Sequence, residues 1–102
     1  MRKPKHKEKV VTGVGWYRPE QWQRLREISV DADQLENTQA EWLPVAEKAV
    51  KDLERLGISV IKVDVDVEEL LSWSRQQGLP LDGKARAQFI EGKVRQMVKT
   101  RG

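Results

Sequence analysis

Apolar and polar positions change their period along this chain, and each change marks an element. Val10 to Tyr17 (V-V-T-G-V-G-W-Y) is rich in β-branched and aromatic residues and reads as a strand. Gly13 and Gly15 share one face of it, a spacing that marks close approach of another element, a bend or a bulge. Pro19 suits the first turn of a helix, where its missing N–H would go unpaired anyway. Trp22, Leu25 and Ile28 follow at helical spacing, Glu20 and Arg24 form an i,i+4 pair, and this helix ends near Ser29. Residues 30–37 are a connector with one helical turn begun by Asp33.

The longest amphipathic stretch comes next. Thr38 and Glu41 have capping-box spacing, each able to satisfy a backbone N–H at the helix start. Trp42, Ala46, Ala49, Leu53 and Leu56 recur at intervals of four and three, with Leu43 and Val50 beside them, as an apolar stripe facing a core. Pro44 lies on the opposite face and predicts a kink or a delayed start. Gly57 stops the helix. Ile58 to Val65 is the second strand, in which Ile61, Val63 and Val65 alternate with Lys62 and Asp64. Asp66 and Glu69 form another capping box ahead of Val67, Leu70, Leu71 and Trp73, and Gly78 closes that helix. After the turn Leu79-Pro80-Leu81, Asp82 caps a last helix with the stripe Ala87, Ile90, Val94 and Met97. The order β-α-α-β-α-α predicts a small two-layer α+β or α/β domain of two strands and about four helices. An isolated strand pair is marginal in water, so packed helices or a partner chain must supply most of the stability.

The 102 residues amount to one domain, with 38% hydrophobic and 34% charged side chains. No apolar run approaches the ~20 residues of a membrane span. The basic start is followed by no apolar stretch of signal-peptide length, so a cytoplasmic location without membrane association is expected. The absence of cysteine removes disulfides, thiolate chemistry and cysteine-ligated zinc. Charge is segregated: residues 1–9 carry +4, residues 10–83 carry −6 and residues 84–102 carry +5. The first nine residues, almost without apolar groups, read as a disordered basic tail. Residues 10–99 form the single compact domain, and 100–102 a frayed end.

Each candidate site competes with a structural use of the same residues. Gly13-Val14-Gly15-Trp16-Tyr17-Arg18 resembles a phosphate loop only superficially, since a dinucleotide fingerprint needs glycine where Arg18 stands and a Walker loop needs Gly-Lys-Ser/Thr. Trp16 and Tyr17 point to opposite faces of the strand, so one is expected to be buried and the other to line a surface or interface; with Arg18 they are the binding surface to test first. Asp64, Asp66, Glu68 and Glu69 form an acidic cluster, of which Asp64, Asp66 and Glu69 are the metal candidates; a hard cation there competes with the capping tasks of Asp66 and Glu69. Lys3, Lys5, Lys7, Lys9, Lys93 and Lys99 are candidate polyanion contacts, although the charges on the last helix encircle it and form no strip. The sole histidine, His6, lies in the tail, where it is not held in geometry for catalysis, and the serines have no nucleophile-elbow context. No catalytic residue and no cofactor are expected.

The run Gly-Val-Gly-Trp-Tyr-Arg-Pro-Glu-Gln-Trp at 13–22 is similar to the opening of a group of short uncharacterised bacterial proteins without assigned function. Glu41-Trp42-Leu43, the segment Val65 to Leu71 and the segment Pro80 to Arg86 resemble the rest of that pattern, which covers about residues 13–90. The resemblance implies a bacterial cytosolic protein with one recurring domain and supplies no catalytic residue. The leading expectation is a non-catalytic protein-interaction or accessory module that self-associates or binds a protein partner. The alternatives are nonspecific nucleic-acid binding through the basic ends and a metal-dependent enzyme using the Asp64–Glu69 cluster.

Overall fold

The computed structural model describes residues 10–101, with side chains over 10–99. The expected tail 1–9, with Lys3, Lys5, Lys7 and Lys9, therefore lies outside the described residues, as does Gly102. Strand β1 is Val11–Trp16 and helix α1 is Pro19–Ile28; a single 3-10 turn at Ala32–Gln34 leads to α2, Gln39–Arg55. Strand β2 is Ser59–Asp64, followed by α3, Val67–Gln77, and α4, Gly83–Arg101. The β-α-α-β-α-α order is as the periodicity predicts, each strand a residue shorter at either end. Helix α4 continues to Arg101, past the point where the sequence pattern ends the ordered domain.

The caps explain where most helices begin and stop. Thr38 Oγ1 accepts the Glu41 N–H at 3.1 Å, and Asp66 Oδ1 accepts those of Glu68 and Glu69 at 3.0 and 3.2 Å. Asp82 Oδ1 accepts the Ala85 N–H at 2.9 Å at the start of α4. Gly78 closes α3 at φ 67°, a left-handed conformation that side chains with a Cβ rarely adopt. Pro44 does not delay α2, which starts at Gln39 as Thr38 dictates. The exposed position of Ala40 and Pro44 leaves the carbonyl that lost its helix partner near water.

The strands pair in parallel, Gly13 opposite Ile61 and Gly15 opposite Val63. Helix α4 packs on the face that carries the glycines. A Cβ built on Gly13 would collide with Val94 Cγ2 and lie 2.9 Å from Ile90 Cγ2, and one on Gly15 would lie 2.7 Å from Ile90 Cδ1. The paired glycines thus mark close approach of a helix. Beyond the strands' C-terminal ends, Tyr17, Trp22, Leu25, Val65, Val67 and Leu70 join Val63, Phe89 and Ile90 in one buried cluster. Burying each such aliphatic side chain contributes roughly 1.5–3 kcal/mol. On the other face, Trp16 meets Trp42 of α2 at 5.3 Å between ring centroids.

Two helical stripes are rotated from expectation. In α2, Ala46 and Val50 are buried while Ala49 is exposed and Leu56 is 76% exposed. The apolar arc of α2 is broader than a two-stranded sheet can cover, and Leu56 falls past its edge. In α4, the buried residues are Ala85, Phe89, Ile90 and Val94, whereas Ala87 is exposed and Met97 is 39% exposed. Phe89 turns toward α3, where its ring meets Trp73 at 5.5 Å. Val94 already reaches Gly13 near the start of β1, so Met97 extends beyond the sheet. The Glu20–Arg24 pair also gives way: Arg24 binds Glu68 of α3 at 2.7 Å and Glu27 at 3.3 Å, and Glu20 faces Arg18. No helix among the described residues is long and apolar enough to cross a membrane.

Candidate interaction site

Of the three residues chosen as a surface, the fold keeps two. Tyr17 is buried, packed edge-on against Trp22 and Trp42 at 5.9 and 5.5 Å, so it is no part of an open face. The chain turns inward there because Tyr17 extends the core-facing side of β1, the side on which Val65 continues β2. Trp16 lies on the opposite face, half-buried, with the Lys62 ammonium 4.4 Å from its ring centroid. Arg18 is exposed and bridges to Asp64 at 3.3 Å and Glu20 at 3.5 Å.

The acidic candidates separate. Asp64 faces Arg18, Asp66 caps α3, and the Glu69 carboxylate, predicted to close a capping box, instead pairs with Lys93 of α4. Among the described residues, no three His, Cys, Asp or Glu side chains gather to hold a metal ion. Lys93 is thereby removed from the polyanion candidates: its ammonium is held by Glu69 and lies over the Phe89 ring. Lys99 stays exposed on α4, as does Arg95.

A groove of about 740 Å³ runs beside β1. Its floor is Val11, Gly13, Val14, Ile90 and Val94, and Lys84, Ala87 and Glu91 of α4 form the wall. Backbone polarity follows from the ladder. The carbonyls of Val10 and Trp16 accept from Ser59 and Val65 at 2.9 and 3.1 Å, so even-numbered residues of β1 face β2. A strand residue points its N–H and C=O the same way, so Val11, Gly13 and Gly15 turn theirs to the opposite side. Among the described residues the sheet has two strands, and that side of β1 borders no other. Gly15 is buried and does not line the groove, so the open stretch of that side is Val11 and Gly13.

The far end of the groove is polar and rigid. Arg86 donates to both Asp31 oxygens at 2.9 Å and to Ser29 Oγ at 3.1 Å, and Asp31 Oδ2 also accepts the Gly83 N–H at 3.1 Å. This little-exposed pair ties the segment after α1 to the start of α4. The Arg86 hydrogen bonds hold the Asp31 carboxyl below the usual carboxylate range, against the opposing effect of burial. Beside it the Tyr17 hydroxyl borders the groove and forms no hydrogen bond among the described residues. Burial pushes this hydroxyl up to about 12, opposed by the Arg86 charge.

Glycine spacing allowed for the close approach of α4 but gave no sign of the groove beside it. Lys84, Ala87 and Glu91 gave none either, because a solvated helix face and a docking wall have the same composition. Asp31 stands 55 residues from Arg86, and no local periodicity relates the two. Comparison with protein-family models, with curated proteins and with solved structures gave no match.

Proposed function

We propose that this chain is a non-catalytic interaction module, acting in the cytoplasm, that accepts an extended protein segment along the open side of β1. We extend the proposal to membership of the short bacterial proteins that residues 13–90 resemble. The single observation that supports the reading is the outward backbone of Val11 and Gly13 beside the groove, on the side of β1 that borders no strand among the described residues. Strand addition uses such an edge: main-chain hydrogen bonds supply affinity, and pockets for alternate side chains supply selectivity. Five to six extended residues span β1 at about 3.3 Å each.

The test is selection of nine-residue peptides from a displayed library on the immobilised protein. Val11→Pro removes one outward N–H at the first residue of the strand, a position that tolerates proline, and leaves the ladder to β2 intact. Selected peptides that lose affinity by about tenfold or more in that variant, with unfolding temperature unchanged, support the reading; binding indifferent to the variant overturns it. The exposed Arg95 and Lys99 favour a second reading, nonspecific nucleic-acid binding. Its mark is affinity for a single-stranded oligonucleotide that falls steeply between 50 and 200 mM salt.

A further inference from the structure

We infer that the protein segment accepted along β1 ends there, its free C-terminal carboxylate received by the Tyr17 hydroxyl and the Lys84 ammonium. The inference deepens the strand-addition reading above and rests on it. Tyr17 carries it. That residue is 7% exposed and its ring is packed among aromatic neighbours, yet its hydroxyl has no hydrogen-bond partner among the described residues. A buried phenol ordinarily finds one. Among the described residues, Arg26 Nε is the one side-chain polar atom sealed from solvent without a partner, so the Tyr17 oxygen still reaches solvent. It does so in the groove, which Tyr17 lines.

The same hydroxyl closes the edge. A Cβ built on Gly15 would lie 3.0 Å from the Tyr17 hydroxyl oxygen, so the side chain folds back over Gly15. The open backbone stops at Gly13, and a strand paired with Val11 and Gly13 meets the hydroxyl end-on. A chain terminus fits that arrangement, whereas a continuing chain would have to turn away from the sheet.

Charge decides which terminus. Helix α4 runs antiparallel to β1: Val94 and Ile90 crowd Gly13, and Ile90 also crowds Gly15. Lys84 precedes Ile90 by six residues and so stands roughly 9 Å further toward the Tyr17 end. It lines the groove, is exposed, and has no ion-pair partner among the described residues. Arg86 borders the same end, its charge shared with Asp31. Glu91, next to Ile90, lines the open stretch instead. A carboxylate is thus repelled along the open edge and attracted at its closed end, and an ammonium terminus meets the reverse. Burial keeps the hydroxyl protonated well above neutral pH, so it donates to the carboxylate in a charge-assisted hydrogen bond. With its carboxylate at the Tyr17 end, the guest runs in the direction of β1 and adds as a third, parallel strand.

The test uses nine-residue sequences displayed at the carboxyl end of a carrier, selected on the full chain and then synthesised as free acids and as carboxamides. Each acid should bind at least about tenfold tighter than its carboxamide. Tyr17→Phe deletes only an unpaired hydroxyl; it should weaken the acid roughly fivefold or more, leave the carboxamide within about twofold, and leave the unfolding temperature unchanged. Lys84→Gln, at an exposed position, should likewise weaken the acid alone and reduce the salt dependence of its binding. Acid and carboxamide that bind alike, or an acid preference that survives both variants, overturns the inference; if Val11→Pro still abolishes that binding, the strand-addition reading stands without it. Binding indifferent to Val11→Pro, or no selected sequence at all, overturns both.

Discussion

Gly13→Ala is the substitution that most directly interrogates how α4 sits on the sheet. The added methyl would overlap Val94 Cγ2 and stand 2.9 Å from Ile90 Cγ2. Both neighbours are β-branched and stiff at χ1, so neither can swing aside as the end of a longer chain would. Overpacking of this kind costs about 1–3 kcal/mol. Losing glycine's freedom in the unfolded chain returns about 0.4–1 kcal/mol. The net is a destabilisation of roughly 1–2 kcal/mol, or a fall in Tm of about 5–15 °C for a domain of this size. Thermal unfolding followed by circular dichroism measures it, and Val94→Ala supplies the control. Alone, Val94→Ala removes two buried carbons at ~0.8 kcal/mol each and leaves a cavity, for about 2 kcal/mol in all. Together the two changes exchange volume, since the new methyl fills space that Cγ2 vacates. The pair should therefore be at least about 1 kcal/mol less destabilised than the sum of the singles. A Gly13→Ala protein as stable as wild type, or strict additivity with Val94→Ala, would refute the close packing of α4 on β1.

Asp31→Asn leaves the Arg86 guanidinium without its charge partner and should cost about 2–4 kcal/mol at pH 7, measured by urea unfolding. Because the folded carboxyl titrates below its ordinary value, its contribution is complete above about pH 4 and disappears as pH falls through the folded pKa. The gap between wild type and variant should thus close on acidification; a gap constant from pH 7 to pH 2 contradicts the assignment. Tyr17 is the sole tyrosine, so the rise in absorbance at 295 nm with pH, above the constant tryptophan background, reports its ionisation. Its ionisation midpoint should lie near 12, and stability should decline between pH 10 and 12 as the unfolded chain ionises first; a midpoint at 10 would mean the ring is not buried. Asp66→Ala strips two N–H groups of their acceptor at the start of α3 and should cost about 1 kcal/mol, with no change in the binding of Mg²⁺ as seen by calorimetry. Heat of Mg²⁺ binding that vanishes in this variant would restore the cation reading of the acidic residues.

The element order, the caps at Thr38, Asp66 and Asp82, and the meaning of Gly13 and Gly15 were all legible along the chain. These features depend on local chemistry: a capping oxygen reaches N–H groups two or three residues away, and a strand's period of two needs no partner to be recognised. Tertiary packing decided the rest. It chose Ala46 and Val50 over Ala49 and Leu56, because a broad apolar arc meets a narrow sheet and only part of it can be covered. It buried Tyr17, dispersed Asp64, Asp66 and Glu69 to three different partners, and drew Asp31 to Arg86 across the molecule. It also left the outward groups of β1 beside a groove. Which side of a strand lacks a neighbour is a property of the assembled sheet, since hydrogen-bond pairing between distant segments leaves no trace in the periodicity of either one.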